Sequence, residues 1–222
     1  MRDSDLPHAK DLYMTSIKNN EKREGPASQD VTWQPSKVDA SDRARILHED
    51  PATVWLTGLS GSGKSTIAFE LEHQLMKSSH LVFVLDGDNI RHGLSRDLGF
   101  SPEHRTENIR RVAEVAKLFN DAGMIIITSF ISPYQEDREL ARKIIGNDRF
   151  IEVHLSTDLQ TCEKRDPKGL YKKVRQGNIT EFTGISAPYE APLNPELILD
   201  TGKLTIDQSV AKIMQQLLPR LH

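Results

Sequence analysis

The sequence predicts an α/β domain: a doubly wound parallel sheet of about five strands, preceded by a polar N-terminal arm. Three observations carry that expectation. Five short apolar runs recur along the chain from residue 53 onward, as expected of strands buried on both faces of a parallel sheet. Segments with helical spacing and helix punctuation separate them, the alternation that builds such sheets. A glycine-rich turn sits between the first run and the first of those helices.

The chain has 222 residues, enough for one domain with an appendage. Lys and Arg total 29 against 32 Asp and Glu, a formal net charge of −3, which argues against a non-specific nucleic-acid binder. The lone cysteine, Cys162, excludes a disulfide framework and a cysteine-based zinc site. No run approaches the ~18 apolar residues of a membrane span. The N-terminus lacks the apolar stretch of a signal peptide. The expectation is a cytoplasmic protein that engages neither nucleic acid nor membrane.

Residues 1–50 read as the arm, partly disordered or packed on a partner. Asn19–Ser28 is polar without period, and Ser41 is the expected cap of a short helix through Leu47. Pro51 ends the arm, and 51–222 form the domain. The expected strands are Thr53–Leu56, Leu81–Leu85, Met124–Thr128, Phe150–Leu155 and Leu197–Leu199. Ser101 and Pro102 open a helix whose apolar face is Ile109, Val112, Ala113, Ala116 and Phe119, and Gly123 closes it. Ser132 with Gln135, Thr157 with Gln160 and Thr205 with Gln208 have the spacing of capping boxes.

The strongest chemical signal is Gly58-Leu59-Ser60-Gly61-Ser62-Gly63-Lys64-Ser65. It fits the P-loop pattern in the strand-to-helix context that pattern needs. Its backbone N–H groups are expected to curl around phosphate oxygens at a helix N-terminus. Lys64 then reaches the β- and γ-phosphates of ATP, and the Ser65 hydroxyl ligates Mg²⁺. The alternative is a plain Gly/Ser turn.

Asp86-Gly87-Asp88 closes the second run. If the strand continues, both carboxylates point into the crevice at the strand ends. There a carboxylate holds Mg²⁺ through water or accepts a proton from a substrate hydroxyl; an ordinary Asp-Gly turn is the competing reading. Five basic residues between Arg165 and Arg175 form either a solvated helix face or a lid, about residues 165–185, closing over transferring phosphates. Phe100 and Phe182 form a base sandwich or simply pack.

Taken in order, these motifs closely resemble the adenylylsulfate kinase family of P-loop small-molecule kinases, over about residues 53–200. The resemblance runs through Trp55–Thr66, Leu85–Arg91, Leu98–Ser101, Glu107–Arg111, Phe130–Tyr134, Asp166–Lys173 and Phe182–Ile185. It implies Mg²⁺-dependent transfer of the ATP γ-phosphoryl group to the 3′-hydroxyl of adenylylsulfate, within sulfate activation. Gly58 through Thr66, with Arg165, would bind ATP. Arg91, Arg105 and Asn108 would hold the phosphosulfate and ribose, Phe100 and Phe182 would stack on adenine, and Ile131 and Lys173 would border the substrate. Asp88 would contact the 3′-hydroxyl, with Asp86 and Ser65 near the metal. The family also marks Ser132 as a candidate phosphoserine; as a helix cap it would be committed elsewhere, so direct in-line transfer is the expected route.

His104 stands where the family often has Asp. No H-x-x-H nucleotidylyltransferase signature occurs, so any ATP sulfurylase is expected as a separate upstream protein. A homodimer is the expected assembly. The rivals are another small-molecule P-loop kinase, acting on a sugar acid or shikimate, and a nucleotide-binding sensor without turnover.

Overall fold

The computed structural model describes residues 30–221, so the disorder expected over 19–28 lies outside the described residues. One compact unit begins at Val38 and carries the whole sheet. Its first helix, α1 (Ala40–Leu47), therefore falls within the stretch read as the arm. Asp39, not Ser41, caps it: Asp39 accepts from the Asp42 N–H while the Asp42 side chain accepts from the Asp39 N–H. An aspartate caps as well as a serine, and here it stands two residues earlier.

The strands are β1 (Thr53–Gly58), β2 (Val82–Asp86), β3 (Ile125–Ser129), β4 (Phe150–Leu155) and β5 (Leu197–Leu199). All pair in parallel in the order β2-β3-β1-β4-β5. The five runs read from the sequence are these five strands. β1 is central and buried at every position, which is why its sequence does not alternate.

Two cores form because neighbouring residues of β1 face opposite sides. Val54 and Leu56 join Ile67, Leu71 and Leu75 of α2 (Lys64–Lys77) and Val210, Ile213 and Leu217 of α8 (Ile206–Leu217). Trp55 joins Ile109, Val112 and Ala116 of α4 (Pro102–Asp121) and Ala141 and Ile144 of α5 (Gln135–Ile145). Helices on both faces make the sheet doubly wound. The Ser101 cap of α4 and the Thr205/Gln208 capping box of α8 form as expected.

Two other expected caps do not form. Thr157 exchanges a 2.7 Å hydrogen bond with Thr201 Oγ1, leaving Asp158 to cap α6 (Leu159–Arg165). Ser132 lies three residues before the first residue of α5, whose N-cap position is Tyr134.

Chain order places the site. β1, β2 and β3 all end on the same side of the sheet, and their C-terminal loops carry the P-loop, Asp86 and the Phe130–Pro133 segment. Ligands of open α/β sheets bind in the crevice outside those strand ends.

Candidate active site

A cavity of about 1280 Å³ opens there. The P-loop lines one part of it. Gly61 holds φ +77°, and a Cβ at that position would sit 2.8 Å from the Cys162 carbonyl oxygen. Only glycine meets both demands, the left-handed backbone and the close approach to α6. Lys64, buried at the start of α2, donates from Nζ to the carbonyls of Gly58 (2.9 Å) and Leu59 (2.7 Å). Burial pushes its ammonium down to about 8, because desolvation disfavours the charged form. Arg165 fastens the loop from the side, donating to Thr201 Oγ1 (2.8 Å) and Thr201 O (2.6 Å); Thr201 Oγ1 donates in turn to Ser62 O.

The Ser65 hydroxyl donates to Asp86 Oδ2 at 2.7 Å and lies 3.2 Å from Ser129 Oγ. The serine and carboxylate expected near a metal thus meet, although 21 residues apart. Asp86 also caps α3 (Gly87–Arg91), accepting from the Asp88 and Asn89 N–H groups. The strand therefore ends at Asp86, and Asp88 lies in a helical first turn. The expected strand spacing of the two carboxylates does not hold, yet both line the cavity. Asp88 is exposed and ion-paired with Lys168 from the loop between α6 and α7 (Leu170–Arg175).

Arg91, Phe100, Arg105, Asn108, Ile131, Ser132 and Phe182 line the same space, with Lys64, Ser65, Arg165 and both aspartates. Arg91 donates to the carbonyls of Leu98 and Gly99 and lies 4.4 Å over the Phe100 ring. That ring is 66% exposed, whereas Phe182 is 7% exposed and meets Tyr171 edge-on at 5.0 Å. Asn108 is buried, and its Oδ1 lacks a hydrogen-bond partner among the described residues. Such an acceptor at a cavity wall suits a ligand donor. His104, the departure noted in the sequence, accepts the Gly99 N–H at 2.8 Å and so shapes the turn before Phe100.

Three placements differ from the sequence reading. Lys173 is exposed on α7 and lies outside the cavity lining. Of the basic run, Arg165 and Lys168 face the cavity, while Arg175 pairs with Glu163 at 2.8 Å. Ser132 is buried with φ +40°, and its hydroxyl accepts the Trp55 indole N–H at 3.2 Å instead of capping a helix. Sequence reasoning missed Lys168, Ser129 and Thr201 as individual site residues. Lys168 was visible as one charge in a run and within the Asp166–Lys173 stretch of the resemblance, with no role of its own, and nothing local distinguished the other two hydroxyls.

The sequence matches the family model described as adenylylsulphate kinase over residues 50–200. An adenylyl-sulfate kinase of Staphylococcus epidermidis is 54% identical over 190 residues, covering 86% of this chain and 96% of that protein. One from Vibrio cholerae is 50% identical over 192 residues, covering 86% and 89%. The structure of the Mycobacterium tuberculosis APS kinase in complex with AMPPNP and APS superposes with a TM-score of 0.73 at 49% identity, covering 77% of this chain and 98% of that one. A hexameric APS kinase from Thiobacillus denitrificans gives 0.61 at 34% identity, covering 81% of this chain and 31% of that one. With the P-loop and the motif residues gathered around one cavity, these matches show that the chain belongs to the adenylylsulphate kinase family.

Proposed function

We propose that this chain transfers the γ-phosphoryl group of ATP to the 3′-hydroxyl of adenylylsulfate, yielding ADP and 3′-phosphoadenylylsulfate. The observation that carries the reading is one cavity holding the P-loop at one end and Asp88, Arg91, Arg105, Asn108, Phe100 and Phe182 around the rest. A sugar-acid kinase has no use for two aromatic rings at its acceptor end, and a sensor has none for a carboxylate facing the acceptor.

The P-loop amides and Lys64 bind the β- and γ-phosphates, Lys64 exchanging its carbonyl acceptors for phosphate oxygens. Asp88 orients the acceptor hydroxyl and takes its proton, once Lys168 turns from the carboxylate towards anionic ligand oxygens. Arg91 and Arg105 meet the phosphosulfate, Asn108 accepts from the ribose or base, and the two rings stack on adenine. Ile131 supplies an apolar edge.

Ser65, Asp86 and Ser129 present only oxygen donors, and the Ser65–Asp86 pair is already within hydrogen-bond distance. Oxygen donors of this kind, few in number and beside a phosphate loop, fit Mg²⁺, which keeps waters and phosphates as its remaining ligands. Bound there, Mg²⁺ would offset the charge of the β- and γ-phosphates. The Ser132 hydroxyl faces an indole, which only donates and is no base; this favours direct in-line transfer over a phosphoserine.

The test is a coupled assay of ADP formation. Release that requires adenylylsulfate supports the proposal. Release driven instead by gluconate or shikimate, or nucleotide binding without turnover, would overturn it.

A further inference from the structure

Arg105 does more in this structure than face the cavity. Its Nε donates to the Phe100 carbonyl at 2.8 Å, its Nη2 to the Glu181 carbonyl at 3.3 Å, and its Nη1 to the Thr183 hydroxyl. One guanidinium thus spans the two segments bearing the aromatic rings, and Thr183 supplies the only side-chain acceptor among these three bonds. Thr183 is 2% exposed. The turn that holds it is fixed from within: the Phe182 carbonyl accepts from Ile185, Ser186 and Ala187, the Gly184 N–H donates to Ala187 O, and Ser186 Oγ accepts from the Phe182 N–H. It is also fixed from outside. Gly184 holds φ +90° so close to the P-loop that a Cβ would come 2.7 Å from Leu59 Cδ2.

We infer that Thr183 is a positioning residue for the acceptor site: anchored beside the P-loop, its hydroxyl fixes the Arg105 guanidinium and thereby the separation of Phe100 from Phe182. The inference rests on the proposed function, since the affinity it controls is that for adenylylsulfate. A buried hydroxyl bonded to a cation does this well, because the bond is charge-assisted. The rival role is a latch that must release Arg105 before substrate binds.

Thr183→Val keeps the shape and removes the acceptor; Thr183→Ser keeps the acceptor. Loss of a hydrogen bond to a charged group should raise the KM for adenylylsulfate roughly ten- to a hundredfold. The KM for ATP should stay within about twofold, since Lys64 and the P-loop amides are untouched. Thr183→Ser should restore most of the loss. In an Arg105→Ala background, Thr183→Val should have little further effect, the signature of two residues acting as one unit. If Thr183→Val does not fold, Thr183→Ala takes its place in each comparison. An unchanged or lowered KM for adenylylsulfate, or equal rises in both constants that Ser does not rescue, overturns the inference. Wild-type protein that fails to use adenylylsulfate overturns the proposed reaction instead, so the two failures are distinct.

Discussion

The two ends of the cavity are built by opposite means. The proposed donor end is built mainly on one contiguous segment, Gly58–Ser65, which neighbours hold in shape: Cys162 against Gly61, Thr201 against Ser62. The proposed acceptor end is assembled from four separate segments that line the cavity, contributing Arg91, Phe100 with Arg105 and Asn108, Ile131, and Phe182. A phosphate chain is the same in every nucleotide, so a fixed backbone cradle serves it. A particular acceptor needs particular side chains, and those come from wherever the chain passes. On this view the donor end governs whether transfer occurs, and the acceptor end governs what receives the phosphoryl group.

The largest expected effect tests that division directly. Lys64→Ala removes the charge aimed at the transferring group and should lower kcat by about 10³-fold. Asp88→Asn removes basicity at the acceptor and should lower kcat by ~10²-fold while leaving ATP affinity intact. Steady-state kinetics on both variants, with adenylylsulfate varied, gives the ranking. A harsher loss from Asp86→Asn than from Asp88→Asn would reassign the base, provided the Asp86 variant still folds, because Asp86 also caps α3 and holds Ser65.

Next in size, the two rings should separate affinity from stability. Phe100 is mostly exposed, so Phe100→Ala should weaken adenylylsulfate binding about tenfold through lost stacking and leave the melting temperature nearly unchanged. Phe182 is packed with Tyr171 and Cys162, so Phe182→Ala should cost the same affinity and also ~3 kcal/mol of stability. Calorimetric titration and thermal unfolding measure the two effects. Equal stability losses would mean that Phe100 is packing and forms no wall.

The same contrast explains what the sequence revealed. The five strands were legible because parallel strands buried on both faces are continuous apolar runs, and the P-loop because its residues are adjacent. The proposed acceptor residues were legible singly, but their grouping and roles came through resemblance to a family, since no local rule joins Arg105 to Phe182 across 77 positions. Ser132 misled for a related reason: its spacing to Gln135 satisfies a capping rule, but a tertiary partner, the Trp55 indole from the adjacent strand, claims its hydroxyl. Thr157 was claimed likewise by Thr201, and Asp158 took the cap. Short polar residues meet many local rules at once, and long-range packing chooses among them. Lys168 and Lys173 looked alike as charges; the turn before α7 and the helix itself send only the first into the cavity.

A smaller effect is expected at Ser132, which lines the cavity. Ser132→Ala leaves the fully buried Trp55 N–H unpaired, a cost of about 1–2 kcal/mol. Turnover should remain within severalfold of wild type. Thermal unfolding and an assay at saturating substrates check both statements. A phosphoenzyme trapped on Ser132, with an inactive alanine variant, would replace in-line transfer by a two-step route.

The smallest effect concerns protons, and it divides the two ends most cleanly. Burial holds Lys64 down to about 8, with nearby Lys168 lowering it further and Cys162, Asp86 and Asp88 opposing. The unfolded lysine titrates near its ordinary value of 10.5, so the unfolded chain binds more protons between those two values. The folded protein therefore gains stability from Lys64 as pH rises from about 8 towards 10.5. Anionic phosphate oxygens favour the ammonium, so nucleotide binding must raise the Lys64 value again and draw in a proton. Near pH 8 about half of the Lys64 population is neutral, and binding should take up ~0.5 proton. Uptake should be close to zero at pH 6.5 once the nucleotide's own ionisation is subtracted. On the proposed reading adenylylsulfate meets arginines, which stay charged throughout this range, so its binding should move almost no protons. Titration calorimetry in buffers of different ionisation enthalpy gives both numbers from the slope of observed enthalpy against buffer enthalpy. Lys64→Arg, which keeps the charge and does not titrate here, should flatten the nucleotide slope at pH 8. A flat slope in the wild-type protein, or proton release, would mean that Lys64 enters the reaction already charged, and that the two ends meet their ligands in the same electrostatic way.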